Sequence, residues 1–334
     1  MTLSRRRFLT GATVTLGAAP LAVPLTAAAS RAGVEDRVRR LFSRLPGDVA
    51  VKIVAPASGG DRGLRVKINS SKMLFVGSAI KTFVLCEALR QADSADVVQT
   101  ISQTQLALDA SVWNADSATF NPPNLTGMVS ERTALEAMIL HSDNTATDMS
   151  LKHVGPENVR EFIAAAGLSK TRIPDSTRVF FGYLLGAPDY KTFTWDQLVA
   201  AANDPIVNSP LNAVQTLASS ADDFVSYYSR ALNGKFFRHS ETLNEFREIL
   251  AMGDAIWLVP LPLGVSAFVK GGSIDVPGFH ALCAAGGMFF DDRWVYFSLT
   301  INWYAKAETD PKTVTAFLGA ASRALALVKD ALSA

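Results

Sequence analysis

The sequence predicts an α/β protein of two lobes: a five-stranded antiparallel sheet flanked by N- and C-terminal helices, plus an inserted all-helical lobe. Three observations carry this. Two strand-like segments stand early, Asp48 to Ala55 and Leu64 to Ile68. Three more stand late, Val265 to Lys270, His280 to Phe289 and Trp294 to Trp303. Between them, from about Gln91 to Leu250, the pattern is mostly helical with irregular loops. Strands at both chain ends with helices between them assemble one sheet from the two ends and leave the middle as a separate lobe. The sheet lobe is expected over about 30–75 and 255–334, and the helical lobe over about 76–254. A cleft between such lobes is a natural place for a site.

The first thirty residues stand apart from the fold. Ser4-Arg5-Arg6-Arg7-Phe8-Leu9 precedes a mildly apolar stretch rich in Gly, Ala and Thr that ends at Ala27-Ala28-Ala29, a small-residue cleavage pattern. Paired arginines followed by Phe-Leu resemble a twin-arginine export signal, so residues 1–29 are expected to be removed and the protein to be periplasmic or secreted. A plain membrane anchor fits less well, because the stretch is short, weakly apolar and contains Pro20 and Pro24.

Removing those three arginines from the 32 basic side chains leaves 29 against 31 acidic ones, a balance of about −2 that gives no support for nucleic acid or an anionic membrane as partner. A monomer acting on a small molecule is expected. Cys86 and Cys283 both lie in apolar segments and read as buried free thiols rather than a pair. No nucleotide-binding loop, paired-cysteine metal motif or HExxH pattern occurs, so neither a metal nor an organic cofactor is expected. His141, His153, His239 and His280 are scattered and read as surface or packing residues.

Taken in order, Gly33 to Leu45 reads as an amphipathic helix with Val34, Val38, Leu41 and Phe42 on one side. The first two strands form a hairpin through a turn rich in Ser58-Gly59-Gly60-Asp61. From Ala79 to Leu89 the chain is apolar on nearly every side, as a helix buried mid-protein must be. Glu131 to Leu140 reads as a further amphipathic helix. Asp275-Val276-Pro277-Gly278 and Asp291-Asp292-Arg293 are turns between the late strands. Asp310 followed by Pro311 is a cap and a first-turn proline, opening a closing helix over Pro311 to Ala334.

The buried helix carries the chemistry. Ser78 and Lys81 are three apart, hence neighbours on a helix. Desolvation disfavours an ammonium, which makes such a lysine a candidate base for the serine hydroxyl. Unpaired N–H groups at the helix start favour a developing oxyanion. The same spacing also fits a serine cap followed by a lysine reaching for solvent. His141-Ser142-Asp143-Asn144 follows the Glu131–Leu140 helix and would ordinarily be a cap or turn. Lys270-Gly271-Gly272-Ser273 reads as the end of the first late strand, where two glycines let a ligand approach the backbone closely, or simply as a strand end or bulge.

S-x-x-K, S-D-N and a K-[T/S]-G-like run in this order are the motif set of class A β-lactamases and penicillin-binding proteins. From about Gly47 to the C-terminus the chain resembles this serine β-lactamase, penicillin-recognising family in its class A branch. The wider strings Gly77-Ser78-Ala79-Ile80-Lys81 and Met138 to Ala146 fit that branch too. The resemblance implies that residues 30–334 form a β-lactamase-like catalytic domain. In it Ser78 attacks the carbonyl, Lys81 takes or passes its proton, and Ser142 relays a proton to the leaving nitrogen. Asn144 binds the substrate amide, and Lys270 and Ser273 bind its carboxylate. The oxyanion sits between the N–H groups of Ser78 and Ser273, and Trp113 falls where the family often has an aromatic beside the cleft, a lone aromatic fitting a packing role equally well.

Two departures matter. Gly271 stands where the family typically has a hydroxyl residue. The loop from Thr171 to Tyr183 contains no glutamate, whereas hydrolytic members use one there to activate the deacylating water. Asp175 is the nearest carboxylate and the candidate deacylation base, with Asp189 a weaker one, and Leu184 to Pro210 holds extra length. Losing a positioned general base costs about 10²–10⁴-fold, so acylation is expected more securely than turnover. The implied function is a β-lactam-opening serine hydrolase with slow deacylation, with consequences for antibiotic resistance. An esterase, D-alanyl peptidase or acyltransferase of the same fold, or a non-turning-over ligand-binding relative, stays open.

Overall fold

The computed structural model describes residues 31–57 and 63–333. The export segment and the Ser58-Gly59-Gly60-Asp61 turn read from sequence lie outside the described residues. The five strands form one sheet in the spatial order Leu64–Ile68, Asp48–Ala55, Arg293–Trp303, Phe279–Phe290, Ser266–Val276, every neighbour antiparallel. The first and last parts of the chain therefore share one sheet, as the pattern of early and late strands requires.

Alternation along the strands divides the apolar residues between the faces. Ala284, Met288, Phe297 and Leu299 turn outward and pack beneath the helices Arg31–Phe42 and Pro311–Ser333, where Val34, Val38 and Phe42 are fully or almost fully buried. Phe42 meets Phe317 edge-on at 6.3 Å. Ala281, Cys283, Ala285 and Tyr296 turn inward and join the core of the helical segments. His280 is a packing residue, fully buried and stacked on Trp303 at 5.1 Å between ring centres. Among the described residues no helix is long and apolar enough to cross a membrane.

The central helix runs Lys81–Gln91 and is buried continuously from Lys81 to Leu89. Phe83 lies against Tyr227 at 4.5 Å and Phe224 at 5.6 Å, and Tyr227 donates its hydroxyl proton to the Thr82 carbonyl at 2.7 Å. Aromatic rings buried this way each contribute about 1.5–3 kcal/mol through surface removed from water, which fixes the helix that carries the site.

Two boundaries differ from the sequence expectation. Gly77–Ile80 is a 3-10 turn and the α-helix starts only at Lys81, so Ser78 does not cap the α-helix. The first late strand does not end at Lys270 but runs to Val276, with Lys270, Gly271, Gly272 and Ser273 paired to Ala285, Ala284, Cys283 and Leu282. One close approach explains both. Gly77 has φ +52°, a left-handed conformation, and a Cβ on it would lie 2.8 Å from the Ser273 nitrogen and oxygen. A Cβ on Gly272 would lie 2.0 Å from the Val76 oxygen and 2.6 Å from the Ser78 nitrogen. The glycines keep the strand going while bringing its backbone against the serine turn.

Gly272→Ala therefore forces backbone apart and is expected to lower stability by about 1–3 kcal/mol. Gly319→Ala is expected to raise it by about 0.4–1 kcal/mol, because that helical glycine would meet only Arg323 Nη2 at 3.7 Å. Urea midpoints of the two variants moving in opposite directions check this.

Candidate active site

The site is built where the Gly77–Ile80 turn, the start of the Asn144–Val154 helix and the Ser266–Val276 strand meet. Lys81 is completely buried. Its Nζ donates to the Ser142 carbonyl at 2.5 Å, to Ser142 Oγ at 3.3 Å and to Asn144 Oδ1 at 2.8 Å. Lys270 is also completely buried, and its Nζ donates to the same Ser142 Oγ at 3.1 Å. One serine hydroxyl thus lies between two lysine amines. Loss of hydration pushes the Lys81 ammonium down to about 7, repulsion from Lys270 adds to this, and Asp143, Asp254 and Asp148 oppose it.

The backbone is arranged to hold this. Ser142 has φ +54°, which is uncommon and costly for a residue other than glycine. Donation by Lys81 to both its carbonyl and its hydroxyl holds the conformation in place. Asp143 caps the following helix through Ala146 N at 2.8 Å, and its other oxygen accepts from Thr119 N and Phe120 N at 3.0 and 3.1 Å. Asn144 is oriented from its far end, Nδ2 donating to the Ala115 carbonyl at 3.1 Å.

Ser78 is half-buried, and neither Lys81 nor any other described residue is hydrogen-bonded to its hydroxyl. An ammonium has three N–H donors, and here all three point to Ser142 and Asn144. A neutral amine has two, and its lone pair is then free to receive a proton. Beside Ser78, the N–H groups of Ser78 and Ser273 belong to the two backbones that the glycines bring together.

Of the residues singled out from sequence, Lys81, Ser142, Asn144 and Lys270 are joined by direct hydrogen bonds, and Ser78 and Ser273 lie on the adjoining backbones. Trp113 is half-buried and stands edge-on to Trp195 at 6.1 Å, so its ring is engaged with the helix Trp195–Ala200 from the long insertion. Asp175 is not brought to the cluster. Its carboxylate accepts from Arg160 and, at 2.8 Å, from Gln215 Nε2, and no hydrogen bond joins it to Lys81 or Ser142. Asp189 is exposed. Cys86 and Cys283 are free, buried thiols; burial raises Cys86 far above the usual thiol range and Cys283 to about 12, which removes both as nucleophiles.

Three features were not found from sequence. Asp254 binds Lys270 Nζ with both oxygens, at 2.9 and 2.8 Å. The one signal for it was Gly271, whose missing side chain leaves room that Asp254 and Ala255 fill. Asp116, with φ +55° and an unpartnered buried Oδ2, is raised to about 8 by burial, with the Lys81 charge opposing. Asp148 is buried and pins the start of the helix Thr177–Leu184, accepting from Thr177 N and Oγ1 at 2.7 Å each and from Arg178 N at 3.1 Å. Thr177 Oγ1 also lies 3.4 Å from the Asn144 carbonyl, which links this loop to the start of the Asn144 helix.

Among curated proteins none matches the sequence. Many solved structures share the fold. The crystal structure of the TLA-3 extended-spectrum beta-lactamase superposes with a TM-score of 0.69 at 14% identity, covering 91% of this chain and all of that one. A class A beta-lactamase from Bacteroides cellulosilyticus DSM 14838 gives 0.66 at 16% identity, covering 92% and 99%. A PBP-A variant in acyl-enzyme complex with penicillin G gives 0.63 at 15% identity, covering 88% and 96%. Residues 33–244 match the sequence profile described as the beta-lactamase enzyme family. Serine-lysine turn, Ser-Asp-Asn helix start and lysine-bearing strand thus fall within a class A beta-lactamase fold, and the chain belongs to the beta-lactamase enzyme family.

Proposed function

We propose that the protein is a serine hydrolase that opens β-lactam rings through a Ser78 acyl-enzyme and releases the acyl group slowly, residues 1–29 serving only its export. The observation that carries this is the Ser142 hydroxyl held between Lys81 and Lys270 beside the Ser78 turn.

Neutral Lys81 takes the Ser78 proton as Oγ bonds to the lactam carbonyl carbon, and the N–H groups of Ser78 and Ser273 receive the oxyanion. The C–N bond then breaks, and the proton on Lys81 passes through Ser142 Oγ to the departing nitrogen. Asn144 offers an amide to the substrate side chain. Deacylation requires a base for water; the loop from Thr171 to Tyr183 contains no glutamate, and its Asp175 is held by Arg160 and Gln215. Acyl-enzyme complex formation with penicillin G by a PBP-A variant of the same fold supports a capture step of this kind.

Intact-protein mass spectrometry after exposure to millimolar penicillin G is expected to show a persistent adduct that Ser78→Ala abolishes. Absence of any adduct with β-lactams and with p-nitrophenyl esters alike would refute the proposal. The acylation rate is expected to rise with pH through about 7 and level off above it, because below that value Lys81 holds a proton and cannot accept another. Lys81→Ala is expected to slow acylation by about 10²–10⁴-fold and to erase this limb, measured by stopped-flow acylation across pH 5–9.

A further inference from the structure

Lys270 is paired with Asp254 beside the Ser142 hydroxyl. Lys270 Nζ, completely buried, has four acceptors: both Asp254 oxygens, Ser142 Oγ and the Gly271 carbonyl at 3.1 Å. Its charge is neutralised inside the protein. The Asp254 side chain is still 24% exposed, so the surface beside this strand carries a carboxylate whose counter-ion lies behind it. Asp254 also accepts from the Gly271 N–H at 3.3 Å, which ties it to the backbone two residues before Ser273.

The seat is built. A Cβ on Gly271 would lie 3.3 Å from Asp254 Oδ1 and 3.0 Å from Ala255 Cβ, so any larger residue at 271 competes with Asp254 for this space. The glycine and the aspartate are one device. An incoming anion meets a fixed carboxylate and a lysine with its donors already directed elsewhere. Like charges brought together at an interface cost several kcal/mol, whereas a neutral group at the same place meets no such repulsion.

We infer that Asp254 is a specificity-determining residue that excludes carboxylates beside the Gly271–Ser273 strand, so that acyl donors with no negative charge there are the preferred substrates of Ser78. This rests on the Ser78 acyl-enzyme proposed above and narrows its substrate class.

Penicillin G and its methyl ester differ in this one charge, and their rates of adduct formation on Ser78 test the inference on the unaltered protein. The methyl ester is expected to acylate at least about tenfold faster than the acid. Asp254→Asn, and Asp254→Ser as a second variant, are expected to speed acylation by the acid and shrink the ratio, with added phenylacetate inhibiting the variants more than the parent. Equal rates on the parent protein, or a faster acid, overturn the inference while leaving the acyl-enzyme intact. An unchanged ratio in folded variants also overturns it. Labelling by neither compound overturns the acyl-enzyme reading and this inference with it.

Discussion

Two lysines buried side by side around one serine hydroxyl are the constraint on which the site depends. Burying one ammonium is costly, and burying two within reach of the same oxygen adds their repulsion. The protein resolves this asymmetrically. Lys270 has a carboxylate on its Nζ, whereas Lys81 has only a carbonyl, a hydroxyl and an amide oxygen. The lysine without a paired carboxylate is the one whose ammonium burial pushes down to about 7, and Asp254, sixteen residues from Lys270, makes the two lysines unlike.

Holding this arrangement requires three distant chain segments to meet closely. The Gly77–Ile80 turn comes from the entry to the helical part, Ser142 from between two of its helices, and Lys270 from a strand formed after the helical part is complete. Each is fixed by something other than the site. The turn leads into a helix buried over its first nine residues, Asp143 ties the Ser142 bend to the 119–120 backbone, and the strand is paired along its whole length. Side chains that must sit accurately are thus placed by elements whose stability comes from elsewhere.

What could be read from the sequence follows how local each feature is. The five strands were legible because apolar alternation and turn residues are short-range signals; Ser78 and Lys81 were singled out by a one-turn helical spacing, whereas Ser78 lies in a 3-10 turn and is not hydrogen-bonded to Lys81. Their boundaries were less so: two glycines after Lys270 read as a strand end, yet here they continue pairing and serve close approach to Ser78. Asp175 was chosen for its position in the loop, but its direction depends on Arg160 and Gln215, fifteen residues before and forty after it. Asp254 lay beyond any spacing rule, because its partner is on a strand and it precedes a short helix, Ala255–Leu258. The engagement of Trp113 by Trp195 was not legible, since that ring arrives from the extra length after Leu184.

The loop that follows Asp175 explains why release of an acyl group is the weak step of the proposed chemistry. Asp148 is a carboxylate close to the site, but Thr177, Arg178 and Asn114 donate to it, and these bonds anchor the helix that begins at Thr177. Burial raises the Asp148 carboxyl above the usual carboxylate range and these donors oppose the rise; the group is a tether, since taking a proton from water means giving up bonds that hold the loop. Thr177 contributes a hydroxyl of ordinary basicity, far too weak to activate water at neutral pH. In the proposed chemistry the neutral amine of Lys81, regenerated once the leaving group has its proton, is a base for the second half-reaction as well. A single base serving both half-reactions makes water compete with whatever alcohol or amine occupies the cleft. Under the proposed mechanism an acceptor that binds where water does not would take the acyl group by the same route.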